Sequence, residues 1–185
     1  MITFTHIYKS YNGKEIIADF NLTIESGTFL TIIGTSGSGK TTVLKMINGL
    51  VLPDKGEIYI DDKNILEEDL IALRRNIGYV IQGNILFPHL TVAENISLFA
   101  GIYGMQDDEI KRKTDDLLRR LNFSDHRDSL VSSLPLGWKQ KLAFSVSILH
   151  DPGIVFLDEP TGGVAPATRR QFWELIYAAA ARGIT

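Results

Sequence analysis

A glycine-rich loop constrains the fold of this 185-residue chain more than any other stretch. Residues 34–42 fit the spacing G-x-x-x-x-G-K-[ST] at Gly34, Gly39, Lys40 and Thr41. The β-branched and aromatic run 29–33 before the loop predicts a buried strand, and the run 43–47 after it predicts a helix. Strand, glycine loop and helix in this order indicate a loop that wraps phosphate groups. An ordinary glycine turn is the alternative, and the complete pattern with both flanks argues against it.

The loop pattern assigns a role to each of its polar groups. Backbone N–H groups and the N-terminus of the following helix are expected to face the phosphates. Lys40 is expected to reach the β- and γ-phosphates, and the Thr41 hydroxyl to hold Mg²⁺. The predicted nucleotide-binding residues of the loop are Gly34, Thr35, Ser36, Gly37, Ser38, Gly39, Lys40, Thr41 and Thr42.

Composition restricts the class of protein. With 44% hydrophobic and 22% charged residues, the chain is expected to form a single domain over residues 1–185. No apolar run approaches about 18 residues and no signal pattern is present, so we expect that the chain neither spans a membrane nor enters a secretory route by itself. A net charge of −3 argues against a nucleic-acid partner. Cysteine is absent, which excludes a disulfide framework and is compatible with the cytoplasm.

A second chemical element follows the apolar run 154–157. This run predicts a buried strand, and Asp158 and Glu159 stand at its C-terminal end, where parallel α/β sheets hold their ligands. Asp158 is expected to bind Mg²⁺ directly or through water, and Glu159 to orient the attacking water. A strand followed by an acidic turn is the alternative for this stretch taken alone.

Other predicted elements surround these two motifs. Runs 2–8 and 16–24 predict strands around a turn at Asn12-Gly13, whereas helices within about 91–121 and at 139–149 predict a helical subdomain over about 91–150. Tyr11 either stacks on a purine base or covers the sheet edge. Gln82, after the predicted strand 78–81, either coordinates the metal and positions water or is an ordinary strand-end glutamine.

These residues, in this order, resemble the nucleotide-binding domain of ABC transporters. The resemblance rests on Tyr11, the loop 34–42, Gln82 and the acidic strand end 158–161. It implies an α/β fold: a P-loop NTPase core with an antiparallel β-subdomain and an inserted helical subdomain. It also implies ATP and Mg²⁺ as cofactors, a transmembrane permease subunit as partner, and a second ATP-binding domain paired head to tail. The expected location is the cytoplasm, at the inner face of the cell membrane.

The chain departs from the family pattern at three points. The usual signature L-S-G-G-Q, which contacts the partner's ATP, is replaced by Leu134, Pro135, Leu136, Gly137 and Trp138. Proline has neither a hydroxyl nor an N–H, so the phosphate contact of the usual serine is lost. Ala165 stands where the family has an aspartate, and the strand with the switch histidine would follow Thr185. The resemblance therefore predicts ATP binding with slow or absent hydrolysis by this chain alone.

The two halves resemble different branches of the family. Residues 73–96 are similar to importers of osmoprotectants such as glycine betaine, and the part from about residue 98 is similar to drug and antibiotic exporters. A recombined, engineered or degenerate chain and natural divergence both remain open. Three other functions are weighed: a nucleotide-binding regulatory or scaffold module without turnover, an ABC ATPase acting on DNA or ribosomes, and a small P-loop kinase. The charge disfavours the second, and the helical insert disfavours the third.

Overall fold

A computed structural model of the protein describes residues 1–80, 85–158, 160, 162 and 166–185, with the backbone alone at 167 and 168. The chain divides into two compact units, one formed by residues 1–77 with 180–185 and the other by residues 78–179. None of the helices in the described ranges is long and apolar enough to cross a membrane.

The first unit is built on an antiparallel sheet. Its strands are β1 (Ile2–Tyr11), β2 (Lys14–Ile24), β3 (Lys55–Ile60) and β4 (Lys63–Asn64), in the order β2-β1-β3-β4. Positive φ angles of 51° at Asn12 and 77° at Gly13 form the tight turn that the dipeptide predicts, and the two hairpin strands extend closer to it than predicted. Two helices belong to this unit, α1 (Lys40–Ile47) and α2 (Leu70–Arg75).

The predicted strand at 29–33 is wrong for the described structure. This segment is irregular, and Ile33 is 89% exposed. A β-branched run favours an extended chain, but a strand also needs a neighbour to accept its backbone hydrogen bonds. Among the residues that the structure describes, none forms a ladder with this run. The glycine loop is therefore preceded by an irregular, mostly exposed segment.

In its described residues, the second unit combines two parallel strands with four helices. The strands are β5 (Ile77–Val80) and β6 (Ile154–Leu157), which pair directly. The helices are α3 (Val92–Ile102), α4 (Asp107–Leu121), α5 (Leu136–Ser147) and α6 (Pro166–Ala180), with short 3₁₀ helices at Ser124–His126 and Val131–Ser133. Phe144 of α5 packs edge-on against Phe172 of α6, with ring centroids 5.5 Å apart, in the core of this unit.

Local sequence signals account for most helix boundaries in this unit. Thr91 is the N-cap of α3: its hydroxyl accepts the Glu94 N–H, and the Glu94 carboxylate accepts the Thr91 N–H. The predicted start of α5 at residue 139 is wrong, because the helix begins at Leu136. Pro135, with φ −57°, is its N-cap, a position where a missing N–H costs no helical hydrogen bond. α5 also ends at Ser147, two residues before the predicted end.

Candidate functional site

The glycine loop has the backbone shape that its sequence predicts. Residues 34–38 are exposed, and Gly37 and Gly39 adopt left-handed φ angles of 79° and 91°. Gly39 is the N-cap of α1, so the loop leads directly into the first turn of this helix. The first N–H groups of a helix have no partner within it, and the helix dipole makes this end attractive to anions. The loop and the helix start therefore present N–H groups suited to phosphate.

Lys40 folds back over the loop that precedes it. Its ammonium donates to the carbonyl oxygens of Gly34 and Thr35, each at 2.8 Å. The Ser38 N–H donates to the same Thr35 carbonyl at 3.3 Å, which closes the turn below the lysine. Two neutral carbonyl oxygens thus hold the positively charged Lys40 ammonium at the loop. A phosphate group can replace those acceptors because a charged partner binds an ammonium more strongly.

Two glycines of the loop have close neighbours. A methyl group at Gly34 would lie 2.7 Å from the Ser38 hydroxyl. One at Gly39 would lie 3.2 Å from the Ile17 side chain of β2, besides the strain of its φ angle. Thr41 and Thr42, in the first turn of α1, are half-buried. The structure thus brings residues 34–42 together as one continuous surface, with β2 behind Gly39.

Tyr11 lies at the hairpin end beside this surface. It is the last residue of β1 and is 44% exposed. Ile17, which packs at Gly39, is the ladder partner of Lys9 on β1, two residues before Tyr11. The Lys9 ammonium lies 5.5 Å from the centre of the Tyr11 ring. The predicted base-stacking residue and the loop therefore belong to the same unit and share a wall of β2.

Asp158 ends β6 in the second unit. Its N–H donates to the Val80 carbonyl at 2.9 Å, which extends the β5–β6 pairing by one residue, and the residue is 8% exposed. Burial, followed by the charge of Asp158, raises the pKa of Tyr79 on β5. A buried carboxylate at the end of a parallel strand is suited to bind a metal ion or a water molecule next to a phosphate. Glu159 and Gln82, the predicted catalytic residues, lie outside the described residues.

The segment 134–138 forms the start of α5. Leu134 is buried, whereas Leu136 is 51% exposed in the first turn of the helix. The Trp138 ring stacks on Phe123 with centroids 4.7 Å apart and meets the His126 ring edge-on at 4.9 Å. Trp138 therefore anchors the helix start through its side chain. Leu136 and Gly137 have no polar side chains, so their backbone groups are the polar groups that they offer at this end of α5.

Sequence reasoning missed three residues that organise these sites. Gln140 of α5 donates to the Gly162 carbonyl at 3.1 Å, which links the 134–138 helix to the segment after Asp158. Gln140 lies one helical turn after Gly137, and this spacing is the signal in the sequence that could have identified it. Lys9 and Asp54, which form an ion pair 2.7 Å long beside Tyr11, carry no such signal, because only the β1–β3 pairing brings them together.

Comparison with known proteins identifies the family of this chain. The family model described as ABC transporter matches residues 17–162, a range that contains both the loop and Asp158. The chain belongs to the ABC transporter family. Its members of known structure confirm the predicted P-loop α/β fold. One is cbiO1 from Clostridium perfringens, part of the ABC transporter complex cbiONQ, with a TM-score of 0.89 and 28% identity over 100% of this chain and 75% of that one.

A second solved structure is a dimeric ATP-binding cassette in a post-hydrolysis state, bound to ADP and Pi. It aligns with a TM-score of 0.87 and 28% identity, covering 100% of this chain and 85% of that chain. Both solved structures are 28% identical to this chain in sequence, so they are related to it by family as well as by fold. The structures thus place the chain among ATP-binding domains of the family.

Curated relatives in the family include a choline transport protein and a probable multidrug transporter protein. The choline transport ATP-binding protein of Bacillus subtilis is 38% identical over 94% of this chain and 46% of its own length. A probable multidrug ABC transporter ATP-binding protein of Escherichia coli is 35% identical over 89% of this chain and 28% of its own length. The chain therefore spans less than half the length of these relatives.

Proposed function

We propose that the chain is the ATP-binding subunit of an ABC transporter, which binds and hydrolyses Mg-ATP to drive solute transport through a membrane permease. The observation that carries this proposal is the loop 34–42, whose left-handed glycines lead into α1 while Lys40 is held over the loop carbonyls. The family relation supports the nucleotide class, because one solved relative is an ATP-binding cassette bound to ADP and Pi and the curated relatives are named as ATP-binding proteins.

Each part of the loop has a role in this function. The amides of residues 34–42 bind the phosphates, and Lys40 exchanges its two carbonyl partners for the β- and γ-phosphate oxygens. Tyr11 stacks on the adenine base. These interactions use charge and backbone geometry that are already present in the first unit, so binding needs little rearrangement of the loop.

The donor set fits Mg²⁺. Thr41 contributes a hydroxyl, Gln82 an amide oxygen and Asp158 a carboxylate, all hard oxygen donors that this ion prefers. Within the described residues there is no group of three or more histidine, cysteine, aspartate or glutamate side chains that could hold a metal. In a site with a single carboxylate, nucleotide phosphates supply the remaining charge. Bound Mg²⁺ neutralises charge that develops on the phosphates.

Glu159 is the proposed catalytic carboxylate, and Gln82 positions water beside it. A carboxylate directly after Asp158 can accept a proton from water as it attacks the γ-phosphate. The segment 134–138 binds the ATP of a second ATP-binding domain through the amides at the start of α5, since Pro135 supplies neither a hydroxyl nor an N–H. The subunit is proposed to lie in the cytoplasm, peripheral to the inner face of the membrane.

Calorimetric titration of Mg-ATP into the chain tests this function. We expect saturable binding, and we expect Lys40→Ala to weaken it at least about tenfold, because one charge-assisted contact contributes about 1.5–3 kcal/mol. Lys45→Ala is the matched control, since it removes the same charge from the last turn of the same helix. Equal affinities of the chain and of Lys40→Ala would contradict the proposed phosphate site.

A nucleotide-binding module without turnover is the second candidate. It is favoured by Pro135 at the N-cap of α5 and by Ala165 at a position where the family has an aspartate. Phosphate release distinguishes the two functions. The transport function predicts slow release that Glu159→Gln abolishes while ATP binding remains. The module without turnover predicts no phosphate release from the unmutated chain or from Glu159→Gln, and no loss of function in Glu159→Gln.

A further inference from the structure

Asp54 is tied to the end of β1 by three hydrogen bonds. Its carboxylate accepts from the Lys9 ammonium and from the Ser10 N–H, both at 2.7 Å, and its own N–H donates to the Tyr8 carbonyl at 2.9 Å. We call Lys9 and Asp54 the Lys9–Asp54 clamp. Contacts to both main chain and side chain fix the carboxylate more firmly than a surface ion pair alone, because the backbone partners cannot rotate away.

The clamp places a positive charge over one face of the Tyr11 ring. The Lys9 ammonium lies 5.5 Å from the ring centre, within the range of a cation–π interaction. Only 16% of the Lys9 side chain is exposed, although lysine side chains are usually solvated. Tyr11 itself is 44% exposed. The ring is therefore held from the side of Lys9 while much of its surface remains accessible.

The same two strands connect this ring to the phosphate loop. Lys9 pairs with Ile17 across the β1–β2 ladder, and Ile17 lies against Gly39 at the N-terminus of α1. A nucleotide whose phosphates bind at α1 would extend its base past β2 toward the hairpin end. The clamp is therefore positioned to order the ring before a base arrives.

We propose that Lys9, anchored by Asp54, is a positioning residue that holds one face of Tyr11 so that the opposite face stacks on the base of the nucleotide. This inference rests on the proposed nucleotide-binding function and adds a base-directed contribution to it. A ring that is already ordered loses less side-chain entropy on stacking, so part of the affinity for the base depends on the clamp.

The test compares two ligands that differ in the base. Mg-ATP and Mg-tripolyphosphate are titrated into the full chain and into the variant Lys9→Met, which keeps the apolar stem and removes the charge. We expect Lys9→Met to weaken ATP binding about two- to fivefold, the size of an exposed cation–π contribution, and to leave tripolyphosphate binding unchanged. Asp54→Asn should shift ATP binding in the same direction.

A matched control is present on the same sheet. The Lys55 ammonium lies 5.9 Å from the centre of the Tyr8 ring, and these residues pair across β1 and β3. Lys55→Met removes an equivalent charge and cation–π contact at a distance from the hairpin end, so it should change the affinity for neither ligand. In a Tyr11→Ala background, Lys9→Met should also have no further effect on ATP affinity, a dependence that a purely structural role would not produce.

The outcomes separate this inference from the function on which it rests. If Lys9→Met weakens the binding of Mg-ATP and of Mg-tripolyphosphate equally, the clamp only supports the sheet and the inference is overturned. Unchanged or tighter ATP binding by Lys9→Met would also overturn it. If the unmutated chain binds tripolyphosphate as tightly as ATP, the base contact is absent although the phosphate site stands. If it binds neither, the proposed function and the inference both fail.

Discussion

His150 shows how a single side chain can make the stability of this chain depend on pH. Its ring stacks on Tyr103 with centroids 3.8 Å apart and planes 23° from parallel. Both ring nitrogens are buried without a hydrogen-bond partner in the described part of the chain. Burial lowers the pKa of His150 from 6.5, Asp151 opposes this shift, and Lys113 adds to it. Burial also raises the pKa of Tyr103 to about 12, so the tyrosine stays neutral.

We expect the free energy of unfolding to fall when the pH is lowered from 7.5 to 5.5. The folded pKa of His150 lies below the usual 6.5, so the unfolded chain takes up a proton first as the pH falls through that value. The contribution is complete above 6.5 and decreases toward the folded pKa, with a slope of at most about 1.4 kcal/mol per pH unit for one proton. Urea unfolding at several pH values measures it.

The variant His150→Phe isolates this contribution. It keeps an aromatic ring against Tyr103 and cannot titrate, so its stability should depend less on pH than that of the unmutated chain. His89→Gln is the control, because His89 lies on an exposed loop. Identical pH dependence of His150→Phe and the unmutated chain would rule out His150 as the titrating group.

At the scale of elements, α1 depends on a contact from α2. The helix has eight residues, and helices of this length are marginal without tertiary contacts. The Arg74 guanidinium donates to the carbonyls of Asn48 and Gly49, both at 3.0 Å, just beyond the last residue of α1. A positive charge at this end also complements the helix dipole. Arg74 therefore stabilises the end of the helix whose start carries the phosphate loop.

Replacing Arg74 with Met is expected to destabilise the chain by about 1 kcal/mol, because two hydrogen bonds are lost while the apolar stem remains. The free energy of unfolding in urea gives the magnitude, and faster hydrogen exchange of the α1 amides gives the location. Arg75→Met removes the same charge from the neighbouring position of α2 and should change α1 exchange little. Equal effects of the two substitutions would argue for a general charge effect instead of a cap.

At the scale of the whole molecule, the proposed function predicts pairing that depends on nucleotide. Each ATP would be bound by the loop 34–42 of one domain and the segment 134–138 of the other, so both copies gain contacts only when ATP is present. Binding that stabilises one state shifts the equilibrium toward it. A second copy of this chain or a different ATP-binding domain can fill the partner position.

With saturating Mg-ATP, the variant Glu159→Gln is expected to double in mass from 20.6 kDa, because slow turnover lets the paired state accumulate. Sedimentation velocity measures this change. Adding Lys40→Ala to the same variant should keep the chain monomeric by preventing ATP binding. A monomer at every ATP concentration would show that a second copy is not the partner.

Local patterns in the sequence predicted much of this protein. The loop pattern predicted a glycine loop that leads into a helix, and the helical pattern within about 91–121 predicted α3 and α4. The run 154–157 predicted β6, with Asp158 at its end. Each of these features depends on residues within a few positions of one another, so the sequence records them directly.

Features that depend on distant neighbours were decided by the tertiary structure. The run 29–33 has strand propensity, yet no described residue pairs with it and it stays irregular. Lys9 and Asp54 are 45 positions apart and meet only because β1 pairs with β3. The stack of His150 on Tyr103 likewise joins the segment after α5 to the end of α3. The sequence by itself thus determined the family, the loop and most elements. Tertiary packing decided which side chains hold Tyr11, cap α1 and bury a histidine, because strand register and helix contacts are set by the whole fold.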